Sequence, residues 1–143
     1  MFSLLRKTRP LTITAEDSIL LLLDLLKRKG IRRVPESELH RLVFSIQTLL
    51  PGPMKFVHQP TTYSNELFES LKKLERNRLV DELVYVHDGW VPKHLYEVTR
   101  IGHSKALELE ARVLTFRVFS LQKFSDSVIA AAKRRELLPT LHD

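Results

Sequence analysis

Residues 79–99 (LVDELVYVHDGWVPKHLYEVT) alternate between apolar and polar side chains, whereas the residues before them repeat at helical spacing. An Asp-Gly pair at positions 88–89 divides this segment and is typical of a tight turn between two strands. The pattern predicts a β-hairpin over about residues 83–98, in which Pro92 must lie at an edge position or in an irregular tip because it cannot donate a ladder hydrogen bond. The chain is therefore expected to add a small hairpin to a set of helices, which makes the fold α+β and mainly α.

The segment directly before the hairpin predicts a short helix. Ser64 is a natural cap, and Glu66 in the first turn suits the positive end of the helix dipole. Its apolar stripe consists of Leu67, Leu71 and Leu74. The residues left facing outward are Asn65, Glu69, Lys72, Lys73 and Arg76.

Another helix is expected near the start of the chain. Thr14 can cap it, and the pattern continues through Leu26 and stops at Gly30. Leucines occupy nearly every face of this segment, which predicts a helix at the centre of the core.

A second helix should follow it, with Pro35 at its first position and its end before residues 51–53 (PGP). Residues 54–58 (MKFVH) then alternate as a short strand would, and Pro60 closes them.

The last helical region is expected to start after a cap at Thr99 and to run to about Glu136. Residues 125–127 (SDS) could cap a separate final helix, so one long helix and two shorter ones both remain open. An apolar heptad seam predicts homodimerisation through this region, although the seam could instead fold back onto its own domain. The seam residues are Leu107, Ala111, Leu114, Val118, Leu121, Ser125, Val128 and Ala132.

Composition limits the class of protein. The chain has no cysteine, which excludes disulfides and thiolate chemistry. It has no segment apolar enough for a membrane span or a secretory signal, so we expect a cytoplasmic protein. Asn and Gln are scarce, which fits a heat-adapted source such as a thermophilic archaeon. A net charge of +6 favours an acidic partner such as nucleic acid.

The element order of helix, helix, short strand, helix, hairpin and helix is that of a winged helix-turn-helix domain. Three blocks, at residues 20–47, 63–82 and 95–102, resemble winged-helix proteins of the PadR and MarR kind and, more closely, a group related to the Panacea antitoxin domain. The resemblance implies DNA-binding transcription regulators, usually homodimers. On this basis we expect a basic arm (residues 1–13), a winged-helix domain (residues 14–103) and a C-terminal helical dimerisation region (residues 104–143).

In a helix-turn-helix the second helix of the pair lies in the major groove, so the helix that begins at Ser64 is expected to contact double-stranded DNA. Its first half would face base edges, and its second half would meet phosphate. The residues predicted to contact bases are Tyr63, Ser64, Asn65 and Glu69. The residues predicted to contact phosphate are Arg32, Arg33, Lys72, Lys73 and Arg76, with Lys93 and His94 on the wing.

The hairpin favours a second hypothesis, because its acidic side chains outnumber its basic ones. A wing that follows phosphate should be basic, so the acidic wing and Trp90 could instead bind a protein partner, as in an antitoxin-like or assembly subunit. An enzyme is not expected. The histidines lack metal-ligand spacing, no catalytic carboxylate pair stands out, and no glycine loop could hold a phosphate cofactor.

Overall fold

The computed structural model describes residues 13–51, 54–86, 91–116 and 119–137. The fold within these ranges is α+β and mainly α, as the sequence predicted. The elements in chain order are α1 Ala15–Arg28, β1 Val34–Pro35, α2 Glu36–Ile46, α3 Asn65–Arg76, β2 Val80–Tyr85, β3 Lys93–Val98, α4 Arg100–Phe116 and α5 Leu121–Arg134.

Helix α1 lies in the hydrophobic core, as its leucines predicted. The hydroxyl of Thr14 accepts the Asp17 N–H and the Asp17 carboxylate accepts the Thr14 N–H, both at 3.1 Å. This reciprocal capping box satisfies two amides that the helix leaves free. The most deeply buried apolar side chains of α1 are Ile19, Leu20, Leu21, Leu22, Leu23 and Leu26. Even so, neither α1 nor any other described helix is long and apolar enough to cross a membrane.

The predicted hairpin is confirmed by β2 and β3, which pair antiparallel from Val80↔Val98 to Tyr85↔Lys93. The Asp-Gly pair at residues 88–89 lies outside the described residues. Strand β1 pairs with the other edge of β3, which gives a three-stranded sheet of order β1-β3-β2. Two residues are too few to show an alternating pattern, and the sequence therefore did not predict β1.

The predicted strand over residues 54–58 is wrong. Only Val57 pairs with another segment, through two hydrogen bonds of 2.8 Å with the backbone of Tyr63. Met54 packs into the core, and the Lys55 N–H donates to the Glu66 side chain instead of to a neighbouring strand.

Helices α1 to α3 and the sheet form a winged helix, with β2 and β3 as the wing. Pro35 lies directly before the first residue of α2, at the N-cap position, instead of occupying the predicted first position of the helix. The connection between α2 and α3 spans residues 47–64. It is much longer than the turn of three or four residues that joins the helices of a typical helix-turn-helix. The end of this connection returns to α2, where the Ser64 N–H donates to Nδ1 of His40 at 3.0 Å.

Of the two arrangements open for the C-terminal region, the structure has two helices. Helix α4 packs on α1, while α5 packs on α2 and α1. Helix α5 is capped by Ser120, which accepts the Lys123 N–H at 3.1 Å, and not by residues 125–127.

The predicted heptad seam divides between these two helices. On α4, Leu107 is 45% exposed and Leu114 is 64% exposed, and Ala111 is exposed as well. On α5, Val128 and Ala132 are buried in the core of their own chain. The remaining seam positions are Leu121 and Ser125, which are half-buried, and Val118, which lies outside the described residues.

The start of α4 is fixed against the wing. The predicted cap at Thr99 is confirmed, since its hydroxyl accepts the Gly102 N–H at 2.9 Å. A Cβ atom at residue 102 would lie 2.0 Å from the carbonyl oxygen of Leu79, so only glycine allows α4 to approach the start of β2 this closely.

Candidate nucleic-acid interface

Helix α3 packs on the core with one side only, so its other side faces solvent. Its buried residues are Leu67, Ser70, Leu71 and Leu74. The residues predicted to face outward are exposed, except Lys72, which is half-buried; the exposed ones are Asn65, Glu69, Lys73 and Arg76. We call Asn65, Glu69 and Arg76 the outer stripe, because they lie along the helix opposite the buried leucines.

The predicted base-contacting residues before Asn65 are part of the helix start. Ser64 is fully buried, and its hydroxyl accepts the Leu67 N–H at 3.3 Å. The Tyr63 ring stacks on the ring of His40, with centroids 4.5 Å apart. A contact from Ser64 to a base would require this cap to open, whereas Asn65 is already exposed.

Glu66 is engaged with the loop before α3. Its Oε1 accepts the Ser64 hydroxyl and the Lys55 N–H, both at 3.2 Å. The carboxylate that would repel phosphate is thus held by hydrogen bonds close to the helix start.

Lys72 joins α3 to the wing. Its Nζ lies 3.2 Å from both carboxylate oxygens of Glu82. The same ammonium group lies 5.1 Å from the ring centroid of Phe68 and 5.8 Å from that of Tyr96. These contacts hold the charge of Lys72 within the protein.

Lys73 has an ion-pair partner within the chain, whereas Arg76 has none among the described residues. Nζ of Lys73 lies 3.2 Å from Oε1 of Glu16, which joins α3 to α1. Among the described residues, no carboxylate lies within ion-pair distance of Arg76. Arg76 is therefore the basic residue of α3 whose charge is available to a ligand.

A polar network connects α2, α3 and the wing behind the outer stripe. The buried Tyr96 hydroxyl lies 3.0 Å from carboxylate oxygens of both Glu36 and Glu82, which share its single hydrogen. Burial and the two carboxylates raise the pKa of Tyr96, so the hydroxyl stays protonated. Burial alone would raise the pKa of Glu82, but hydrogen bonds from Lys72, Tyr96 and His94 hold it below its ordinary value.

The loop arginines predicted to contact phosphate meet on one carboxylate of the wing. Oxygens of Glu97 accept from Nε of Arg32 at 2.7 Å and from Nε of Arg33 at 3.1 Å, and Nζ of Lys27 lies 3.8 Å away. Burial would raise the pKa of Glu97, but the two arginines lower it. The arginine side chains are still 68% and 47% exposed, so a phosphate can approach them.

The acidity of the wing is thus partly neutralised within the chain, since Glu82 and Glu97 both have cationic partners. Of the predicted wing contacts, His94 lies 3.0 Å from Glu82, and Lys93 is exposed. Apolar side chains are also exposed toward the far end of the hairpin; they include Val84, Val86 and Val91. Trp90 lies outside the described residues.

The sequence patterns did not single out His40, Glu36 and Tyr96, which support the start of α3 and its contact with the wing. The signal available for them was weak, because a histidine or tyrosine on an apolar face usually indicates core packing. In the described part of the chain, no group of three His, Asp or Glu side chains could hold a metal ion.

No family model matches the chain, and no curated protein sequence matches it. Among solved structures, the chain is similar to the circadian clock associated protein Pex from Anabaena, at 16% identity. The match covers 81% of this chain and 89% of that chain, with a TM-score of 0.42. A similarity at this level carries no argument about function.

Proposed function

We propose that the protein binds double-stranded DNA through α3 and acts as a transcription regulator, a binding role and not a catalytic one. The observation that carries the proposal is the outer stripe. Asn65, Glu69 and Arg76 are exposed along one line of a helix whose opposite side is buried in a winged-helix core.

The chemistry of the outer stripe suits a major groove. An asparagine can pair with the N6 and N7 positions of adenine, and a glutamate can accept from the amino group of cytosine. Arg76, about two helical turns beyond Glu69, would meet phosphate at the edge of the groove. Arg32 and Arg33 on the adjoining loop would add further phosphate contacts beside the wing.

The proposal is tested by fluorescence anisotropy of the protein with a labelled random duplex over a series of salt concentrations. Each phosphate contact contributes about 0.9 to the slope of log affinity against log salt. Arg76→Ala is expected to weaken binding by roughly tenfold and to lower that slope by about one. Arg134→Ala, an exposed arginine on α5, is the matched control and should change neither. Absence of binding at low salt would contradict the proposal.

We further propose that the protein is a homodimer that pairs through α4. Leu107, Ala111 and Leu114 lie at heptad spacing and are exposed, although the residues that face the other way, Leu109 and Val113, are buried in the core. Two exposed leucines on a helix that is already anchored to α1 are what a second copy could cover.

The dimer is tested by light scattering after size exclusion at micromolar concentration. Leu114→Glu should convert a dimer into a monomer, because it would place a charge within the paired face. Val91→Glu, which changes an exposed apolar residue on the wing, should leave the mass unchanged. A monomeric wild-type protein would rule out the proposed pairing.

A second candidate function is supported by the exposed apolar residues of the wing. Val84, Val86 and Val91 are 54%, 59% and 84% exposed and would suit a protein partner better than phosphate. A partner that purifies with the protein in stoichiometric amount, and that is lost on Val86→Ser and Val91→Ser, would support this role. A partner retained by both variants would not bind at the wing.

A further inference from the structure

The backbone at the start of α3 donates a hydrogen bond to a buried histidine. The Ser64 N–H lies 3.0 Å from Nδ1 of His40, whose side chain is only 2% exposed. A backbone N–H can only donate, so Nδ1 must carry a free lone pair. The neutral ring of His40 therefore has its hydrogen on Nε2.

The second ring nitrogen faces a carboxylate. Nε2 of His40 lies 3.4 Å from Oε2 of Glu36 and forms no hydrogen bond with it or with any other described atom. The nearby Nε2–H of His40 lowers the pKa of Glu36 from its ordinary value, burial opposes this, and the Tyr96 hydroxyl adds to the lowering. Tyr63 covers the ring by stacking on it.

Other charged groups surround this position. A cavity of about 250 Å³ borders His40 between α2, the loop before α3 and the wing, and Glu36, Lys93 and His94 also line it. Glu36 belongs to α2, while Lys93 and His94 belong to β3, so charged or titratable groups of both elements lie around the ring of His40.

We propose that His40 is a pH-sensitive positioning residue that holds the start of α3 when neutral and releases it when protonated. A protonated ring has hydrogens on both nitrogens, so Nδ1 can no longer accept the Ser64 N–H. Ser64 must then move away from His40, while Nε2 gains a stronger interaction with Glu36. Because Ser64 directly precedes Asn65 of the outer stripe, we expect this movement to weaken DNA binding. That expectation rests on the proposed function.

The other described histidines are placed differently. His58 is exposed beside Thr62, His94 is beside Glu82, and His103 is beside Asp24. Among the described histidines, His40 is the one that accepts a backbone hydrogen bond at the cap of α3. Histidine is also the side chain that ordinarily changes charge between about pH 5 and 8.

The first test uses the free protein and NMR. The ¹⁵N signals of the His40 ring and the amide signal of Ser64 are followed from pH 7.5 to 5. We expect Nδ1 to be unprotonated at pH 7.5, and the Ser64 amide to shift with the same midpoint as the His40 ring. A Ser64 amide that does not follow the titration of His40 would overturn the proposal, whether or not the protein binds DNA.

The second test measures DNA affinity by anisotropy at pH 7.5 and 5.5 for the wild type and for His40→Asn. The asparagine oxygen can accept the Ser64 N–H in place of Nδ1 and does not titrate. We expect wild-type affinity to fall by roughly fivefold at the lower pH, which corresponds to the loss of one hydrogen bond, and His40→Asn to show no such fall.

His58→Asn is the matched control, since His58 is exposed on the same connection and should leave the wild-type fall intact. Equal pH profiles for the wild type and His40→Asn would overturn the proposal. If His40→Asn does not fold, the NMR titration of the wild type decides. If no DNA binding is seen at any pH, the proposed function fails, and the same NMR titration still decides whether His40 controls Ser64.

Discussion

The two edges of α3 and its outer stripe use charge in opposite ways. At the edges, Lys72 is held by Glu82 of the wing and Lys73 by Glu16 of α1. On the outer stripe, Arg76 has no carboxylate partner among the described residues. Basic residues within five positions of one another on the same helix therefore have different surroundings: two are ion-paired with neighbouring elements, and one is exposed without a carboxylate partner among the described residues.

This difference shows why a positive net charge is a poor guide to a binding surface. Arg32 and Arg33 resemble Lys72 and Lys73, because both form ion pairs with a carboxylate of the chain, that of Glu97. A cation is most available to a nucleic acid when the fold leaves it without a close anion. The sequence does not reveal these anions, because most of them lie far away along the chain.

The largest effect on stability is expected when the carboxylate partner of Lys72 is removed. Glu82→Gln should destabilise the protein by roughly 1.5–3 kcal/mol, the range for hydrogen bonds to a charged group, because Glu82 is contacted by Lys72, Tyr96 and His94. Urea denaturation at pH 7 measures this change. Asp81→Asn, on the neighbouring exposed residue, is the control and should stay within about 0.5 kcal/mol of the wild type.

The loss of stability in Glu82→Gln should also depend on pH. Burial alone would raise the pKa of Glu82, but the hydrogen bonds from Lys72, Tyr96 and His94 outweigh it and hold the pKa below its ordinary value in the folded state. A group with a lowered folded pKa stabilises the protein above its unfolded pKa and loses that contribution as the pH falls. The stability difference between wild type and Glu82→Gln should therefore be full above pH 4.5 and shrink below it. A difference that is constant from pH 7 to pH 3 would contradict the ionised carboxylate.

Asn65→Ala tests whether the outer stripe contacts DNA bases. Loss of a bidentate contact to adenine should reduce discrimination between a selected DNA site and the same site with that base changed, by about 1–3 kcal/mol. Binding to random duplex should be nearly unchanged, because the contact carries sequence information and not charge. Asn77→Ala, beyond the end of α3, is the control. Equal losses on both duplexes would show that Asn65 does not contact a base.

The smallest effect is expected at Lys73. Its side chain is 54% exposed, so its ion pair with Glu16 should contribute only about 0.2–1 kcal/mol to the free energy of unfolding. A double-mutant cycle of Lys73→Ala and Glu16→Ala measures this coupling. A coupling of zero would mean that this edge of α3 is not held by the pair.

Local signals in the sequence were enough for the helices and the wing. The caps at Thr14, Ser64 and Thr99 mark the starts of α1, α3 and α4 because each satisfies amides within three residues of itself. The strand predicted over residues 54–58 failed because an alternating pattern does not reveal whether a partner strand lies alongside.

Local signals could not predict which charged or polar side chains pair with each other. Arg33 and Glu97, or His40 and Ser64, are brought together only by the packing of the sheet and α2. The heptad seam failed to distinguish α4 from α5 for a related reason, since the same spacing is exposed at Leu114 and buried at Val128.

We propose that DNA contacts the outer stripe of α3 and not the edges held by Lys72 and Lys73. The decisive experiment measures the salt dependence of duplex binding for Arg76→Ala and Lys73→Ala side by side. We expect the slope of log affinity against log salt to fall by about one for Arg76→Ala and to stay close to the wild-type value for Lys73→Ala. An equal fall for both variants, or a fall for Lys73→Ala alone, would contradict the claim.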